Sequence, residues 1–245
     1  MAVRLARFLA RAGASSRRGA ADLVAAGRVR VNGRPPEGPG DPVEPGRDVV
    51  TVDGREVHEA PLVHLAFHKP VRSVTSRRTM GRVPTVFSLL GAVPDALIAV
   101  GRLDVMTEGL LLFTTDGELA ARLMHPRWSV PRRYEVMVTG APDESGMAAL
   151  DRGVDIGEGP PVRPARWRWN PLPRGGVLEL ELGEGRSRVV RRVCRALGLR
   201  VRRLARTAYG PVSLGALPPG ASRPLDRKEI VALYRAVSLE PPANL

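Results

Sequence analysis

Asp104 stands at the centre of a stretch, Ala99 to Pro126, in which a few polar residues interrupt two very apolar segments. Leu97-Ile98-Ala99-Val100 and Gly109-Leu110-Leu111-Leu112-Phe113-Thr114-Thr115 are continuous apolar runs, too short for helices and bounded by glycine, so both read as buried strands. A carboxylate on the connection between two core strands cannot wander, and it costs several kcal/mol if buried without a partner. Such a placement aims one acid at a substrate. On spacing alone, Asp104 reads more readily as the cap of a short turn, as most loop aspartates are.

A second group of residues could oppose such a carboxylate. Ser187 to Leu197 reads as a helix closed by Gly198, with Val189, Val190, Val193 and Leu197 on its inner face. Arg188, Arg191, Arg192 and Arg195 fall at i, i+3, i+4 and i+7 on the other face, where four like charges repel and call for a counter-charge, either RNA phosphate or a carboxylate. Arg133-Tyr134-Glu135-Val136-Met137-Val138 alternates as a strand, with Tyr134, Val136 and Val138 on one face. Trp167 and Trp169 share a face of another strand, where they read as core residues more readily than as an aromatic platform for RNA. His64 and His68 have the spacing of a helical metal pair. They lie in a strand pattern without a third ligand, so no metal site is expected.

A formal net charge of +13 on 245 residues exceeds what solubility requires and points to a polyanionic partner. The charge is concentrated. Residues 1–34 carry eight arginines, Arg4, Arg7, Arg11, Arg17, Arg18, Arg28, Arg30 and Arg34, against Asp22 alone, and residues 186–206 carry nine arginines and no acid. Two basic patches suggest two contacts with one long ligand. A hydrophobic content of 43% suffices for a packed core. The single cysteine, Cys194, excludes an intrachain disulfide and fits a reducing compartment. With no long apolar run and no signal peptide, a cytoplasmic, monomeric protein without a membrane anchor is expected.

Near the N-terminus, Leu5, Phe8, Leu9 and Ala12 predict a short amphipathic helix ending at Gly13, and Ser16 reads as the N-cap of a second helix ending at Gly27. Asn32-Gly33 predicts a hairpin, a Pro-rich loop spans Arg34 to Gly46, and Val49 to Val52 reads as a strand before an Asp53-Gly54 turn. Downstream of a linker, Leu62 to Phe67 begins a second domain as a strand stopped by Lys69-Pro70. Asp116-Gly117 opens a helix that ends at His125-Pro126, and Glu229 completes a capping box on a helix starting at Asp226.

The wording GRLDVMTEGLLLFTTDGELAARLMHP resembles the signature of the RsuA/RluB family of ribosomal RNA pseudouridine synthases, and RLARFLARAGASSRRGAADLVAAGRVRVNG resembles an S4 RNA-binding domain. The resemblance implies an α+β fold, an S4 domain over residues 1–60 and a synthase domain over residues 61–240 built on a mixed, largely antiparallel sheet with flanking helices. It implies Asp104 as the catalytic carboxylate, either nucleophile at C1′ or base at C2′. Through PRRYEV it implies that Tyr134 stacks on the target uracil, and through EGRSRVVRRVCRALGL that Arg191 contacts Asp104. Arg4, Arg7, Arg11, Arg17, Arg18, Arg28, Arg30, Arg188 and Arg192 are then candidate RNA contacts. Arg102 either pairs with Asp104 or Glu108 or enters the gap left by a flipped base. The implied reaction needs no cofactor: the N1–C1′ bond of a flipped-out uridine breaks, the uracil turns, and C5 joins C1′. The implied partner is ribosomal RNA or a pre-ribosomal particle, and the wording is nearer the large-subunit branch. A non-catalytic RNA-binding protein and a nucleoside hydrolase are the competing readings.

Overall fold

The computed structural model describes residues 2–16, 18–79 and 81–242; the expected RNA contact Arg17 lies outside them. The chain divides into two compact units, one made of the first 63 residues with Ala92–Ile98 and Thr114–Gly117, the other of the remainder.

In the first unit, strand β1 (Val3–Arg4) leads into helix α1 (Leu5–Arg11), followed by helix α2 (Gly19–Ala25) and strands β2 (Val29–Val31), β3 (Pro42–Val43), β4 (Val50–Val52) and β5 (Arg55–Glu56). Leu5, Phe8 and Leu9 bury the apolar stripe of α1 against Ala20, Val29, Val43 and Val50. Ser16 accepts from the Gly19 amide over 3.0 Å, although α2 begins only at Gly19 with Arg18 before it. Asn32 and Gly33 both take positive φ and turn the chain as expected. Beyond one bridge from Val31 to Arg34, however, β2 pairs with β4 across the Pro-rich loop, because prolines withhold the amide donors a returning strand needs.

The second unit holds β6 (His64–Lys69), α3 (Val86–Leu90), β7 (Ile98–Val100), β8 (Glu108–Thr114), α4 (Gly117–Met124), β9 (Arg132–Thr139), α5 (Glu144–Arg152), β10 (Arg166–Leu172), β11 (Gly175–Leu182), α6 (Val189–Ala196), β12 (Arg200–Tyr209), β13 (Val212–Ser213), β14 (Ser222–Pro224) and α7 (Arg227–Ala236), with bounding residues of β7, β8 and α4 shared with the first unit. These strands form one nine-stranded sheet ordered β10-β11-β9-β12-β8-β6-β14, with β13 on β12 and β7 on β8. It is mixed: β12 runs parallel to β8 but antiparallel to β9 and β13.

Two apolar clusters pack on the sheet. Val136, Val138, Leu178 and Leu180 pack under α5 and α6 against Leu150, Val190, Val193 and Cys194, and Trp167 and Trp169 sit half-buried against this same cluster. Ala66, Leu110, Leu112 and Tyr209 pack with Leu119 and Leu123 of α4 and Leu233 and Tyr234 of α7. Asp226 and Glu229 form the expected capping box of α7.

The expected helix from Ser187 is shorter at its start. Arg188 precedes α6 in a left-handed conformation, φ +53°, so only Val189 onward is helical. Burial along β9 alternates from Arg132 inward, which places that arginine on the same face as Tyr134.

Candidate active site

The strand end of β7 delivers the chain to Gly101, whose φ of +80° is open to glycine at little cost, and the connection to β8 then carries Asp104. This connection is fixed along its length. Thr75 Oγ1 accepts from the Leu103 amide over 3.3 Å and donates to the Leu103 carbonyl over 3.1 Å. The Thr107 amide donates to the Asp104 carbonyl at 3.0 Å, closing a turn. The Arg72 amide donates to Val105 O at 2.7 Å, Arg191 Nη2 to Met106 O at 2.7 Å, and Lys69 Nζ to Thr107 O at 2.9 Å. Each of the four carbonyls from 104 to 107 therefore has a donor, and little freedom remains in the backbone beneath the aspartate.

Asp104 opens onto a cavity of about 620 Å³. Among the described residues lining it are six arginines, Arg102, Arg132, Arg186, Arg188, Arg191 and Arg206, and a single carboxylate, Asp104. Tyr134, only 8% exposed, contributes part of the wall, with Val189, Leu204 and Tyr209. Such a lining suits a ligand that is flat and apolar at one end and anionic at the other.

The cation nearest the carboxylate differs from expectation. Arg188 sets its Nε 4.0 Å from Asp104 Oδ2, whereas Arg191 spends its guanidinium on Met106 O and, at 3.4 Å, on Thr107 Oγ1. Arg191 thus holds the loop under Asp104 and makes no ion pair with it within 4.0 Å. The reason is positional: both line the cavity, but Arg191 is the third residue of α6, under the 104–107 turn, while Arg188 sits immediately before the helix. Arg102 lines the cavity and is exposed; Glu108, one of its two anticipated partners, is bound by Arg203 Nε at 2.5 Å.

Three residues of the site escaped the sequence reading. Lys69, fully buried, has its amine pushed down to about 8, because burial penalises its charge more than Asp104 and Glu108 favour it. Arg132 and Arg206, also buried, flank the Tyr209 ring with their ζ carbons 4.9 and 5.1 Å from its centroid. Tyr209 Oη donates to Leu123 O at 2.7 Å and accepts from Arg132 Nη2 at 3.0 Å. Arg206 Nε donates to Leu110 O at 2.8 Å, and its Nη2 is buried without a partner among the described residues. The period of β9, extended two residues back from Tyr134, was a signal for Arg132; Arg206 lies on a ten-residue strand whose arginines masked its alternation.

The basic surfaces are partly engaged within the chain. Arg192 Nη1 meets Glu158 Oε2 at 2.5 Å, Arg186 pairs with Glu184, and Arg203 also reaches Glu135 at 3.3 Å. In the first unit, Arg28 grips Asp53 through two bonds of 2.8 and 2.5 Å, which hold the Asp53 carboxyl below its ordinary range. Arg11 pairs with Glu59 at 3.3 Å. Arg30 donates from Nη1 to Gly33 O at 3.3 Å. Arg4, Arg18, Arg30 and Arg34 are exposed, and Arg7 is half-buried.

Residues 63–196 match the family model described as RNA pseudouridylate synthase, and residues 3–49 match the S4 domain. The chain belongs to the RNA pseudouridylate synthase family. An Escherichia coli K12 ribosomal large subunit pseudouridine synthase B is 42% identical, over 98% of this chain and 85% of that protein. An RNA pseudouridine synthase of Aquifex aeolicus is 38% identical over 98% of this chain and 97% of its own length, and one of Mycobacterium tuberculosis H37Rv is 40% identical over 97% and 95%. A solved pseudouridylate synthase superposes with a TM-score of 0.65 at 28% identity, covering 94% of this chain and 99% of that one. The synthase described here is thus an RNA-binding isomerase of the RsuA/RluB type, with an S4 module ahead of its catalytic fold. Among its described residues no helix is long and apolar enough to cross a membrane.

Proposed function

We propose that this synthase converts a uridine of ribosomal RNA, in the large subunit, into pseudouridine, with Asp104 as the catalytic carboxylate acting on a nucleotide flipped out of its stack. The observation that carries this reading is the cavity in which one carboxylate faces six arginines. A nucleotide brings one phosphate and one flat, weakly polar base, and the guanidiniums answer the phosphate while Tyr134 offers the base a ring. The large-subunit assignment rests on the 42% identity to the Escherichia coli enzyme.

Substrate and product are isomers. The N1–C1′ bond breaks, C5 bonds to C1′, C5 loses its proton and N1 gains one, so no electron carrier is required. Asp104 either adds to C1′ or removes the proton at C2′; both require it to be aimed, and the bound carbonyls of residues 104–107 hold the backbone that carries it. Extracting the nucleotide costs a few kcal/mol, which phosphate contacts and stacking on Tyr134 offset.

Release of tritium from rRNA carrying [5-³H]uridine tests the reading, because the label leaves only when C5 forms its new bond. Large-subunit rRNA is expected to release it and small-subunit rRNA to remain labelled. Release of free uracil instead would identify a hydrolase.

A further inference from the structure

The turn that carries Asp104 has an unusual tip. Turn positions ordinarily take Gly, Asn, Asp, Ser or Pro, yet the two central residues here are Val105 and Met106, and they are 39% and 54% exposed. The Arg72 amide bond to Val105 O ties this turn to the neighbouring Pro70-Val71-Arg72-Ser73 segment, where Ser73 Oγ donates to Pro70 O at 2.8 Å. Val71 on that segment is 40% exposed. Two turns tied by a backbone bond thus present three apolar side chains to solvent, and Val105 directly follows Asp104, which lines the cavity.

The surroundings of this apolar ledge are cationic. Arg72 in the second turn and Arg102, two residues ahead of Asp104, are exposed, and Arg188 stands against the adjacent carboxylate. A protein partner would meet repulsion unless strongly acidic. A nucleic acid brings both halves of the match at once: phosphates for the arginines and an apolar base face for the ledge.

We propose that Val105 and Met106, with Val71, form the seat for a nucleobase adjacent to the uridine in the cavity. When the target nucleotide leaves the stack, its neighbour loses a stacking partner, and the ledge replaces the lost apolar contact. Backbone bonds to Val105 O and Met106 O hold the seat fixed whatever side chain it carries, so the two functions of the turn separate: its backbone orients Asp104, and its tip pays part of the cost of opening the RNA. The inference rests on the proposed function, since the ledge acts only if a nucleotide enters the cavity.

The test is single-turnover tritium release from unmodified large-subunit rRNA carrying [5-³H]uridine, using the full chain and two variants, Val105→Ser/Met106→Ser and Met106→Phe. Loss of the apolar contact with one base predicts a fall in kcat/KM of about 5- to 100-fold for the double serine variant, with an unchanged slope of RNA affinity against salt because no phosphate contact is removed. Met106→Phe enlarges the apolar face and is expected to match or exceed wild type. A double serine variant within twofold of wild type overturns the ledge, as does a Met106→Phe variant that falls equally far, which would indicate a packing role. An inactive wild type contradicts the proposed function itself, and an active wild type with indifferent variants contradicts the ledge alone.

Discussion

Arg188 holds a left-handed backbone conformation, φ +53°, and from it sets its Nε 4.0 Å from Asp104 Oδ2. A bulky residue rarely adopts this conformation, at a cost of about 1 kcal/mol or more, and it persists where the surroundings enforce it. The strain lies at the first residue before α6, where a regular helical start would carry the guanidinium elsewhere.

Arg188→Gly separates the two consequences. Glycine relieves the backbone and removes the charge, so the protein is expected to gain about 1 kcal/mol of stability while kcat/KM falls at least tenfold. Thermal melting and tritium release on the same preparation check this. A variant that loses both stability and activity would show that Arg188 serves the fold instead.

Lys69 gives a pH signature. Its amine titrates near 8 in the folded chain and at its ordinary value, 10.5, when unfolded. Folded-state depression of a cation means that the unfolded chain binds the extra proton between those values, so stability rises with pH from about 8 to 10.5 and lacks this contribution below 8. Lys69→Met flattens that limb and leaves Thr107 O without the Lys69 donor, for which a loss of about tenfold in activity is expected. Denaturant melts at pH 7.5 and 10, with rates at pH 7.5, read both effects.

Gly109 is required by a close approach of two strands. A Cβ there would lie 2.3 Å from Arg206 O and 2.6 Å from Arg206 N, at a φ of +107°, where β8 and β12 pair in parallel. Gly109→Ala is expected to destabilise the synthase by about 3 kcal/mol or more and to displace Asp104, five residues upstream. Urea unfolding checks the size, and a loss below about 1 kcal/mol would contradict the packing described.

RNA affinity depends on salt through the phosphates engaged. Arg28, Arg186, Arg192 and Arg203 already bind carboxylates, so the arginines release fewer counterions than their number suggests. With about six phosphates neutralised, affinity falls about thousandfold between 50 and 200 mM salt. Filter binding across that range reads the slope, and a flat response would remove the electrostatic account.

Much of this architecture was legible in the residues. The apolar run from Gly109, the stripe of α1, the alternation around Tyr134 and the capping box at Asp226 are local signals, and each became the expected element, whereas the run at 97–100 became a strand, β7, that leaves Ile98 exposed rather than buried. Helix α3 was hidden in a stretch without clear period, although Thr85 and Ser88 cap it reciprocally; serine at the third position is a weaker sign than glutamate. Strand β12 was read as a charge patch because its arginines alternate only after two irregularities in its pairing with β9 are allowed for. The exchange of Arg191 for Arg188 beside Asp104 was not readable from spacing, since helical periodicity assumes a helix that has already begun. Lys69 acts from β6, far away in sequence, and only the fold brings it under Thr107.

The central claim is best met by mapping the product. Unmodified large-subunit and small-subunit rRNA are incubated with the wild-type synthase and with Asp104→Asn, treated with carbodiimide, and read by primer extension. The account predicts one new stop in large-subunit rRNA with wild type and none with Asp104→Asn. A stop that survives in Asp104→Asn would contradict the role given to this carboxylate.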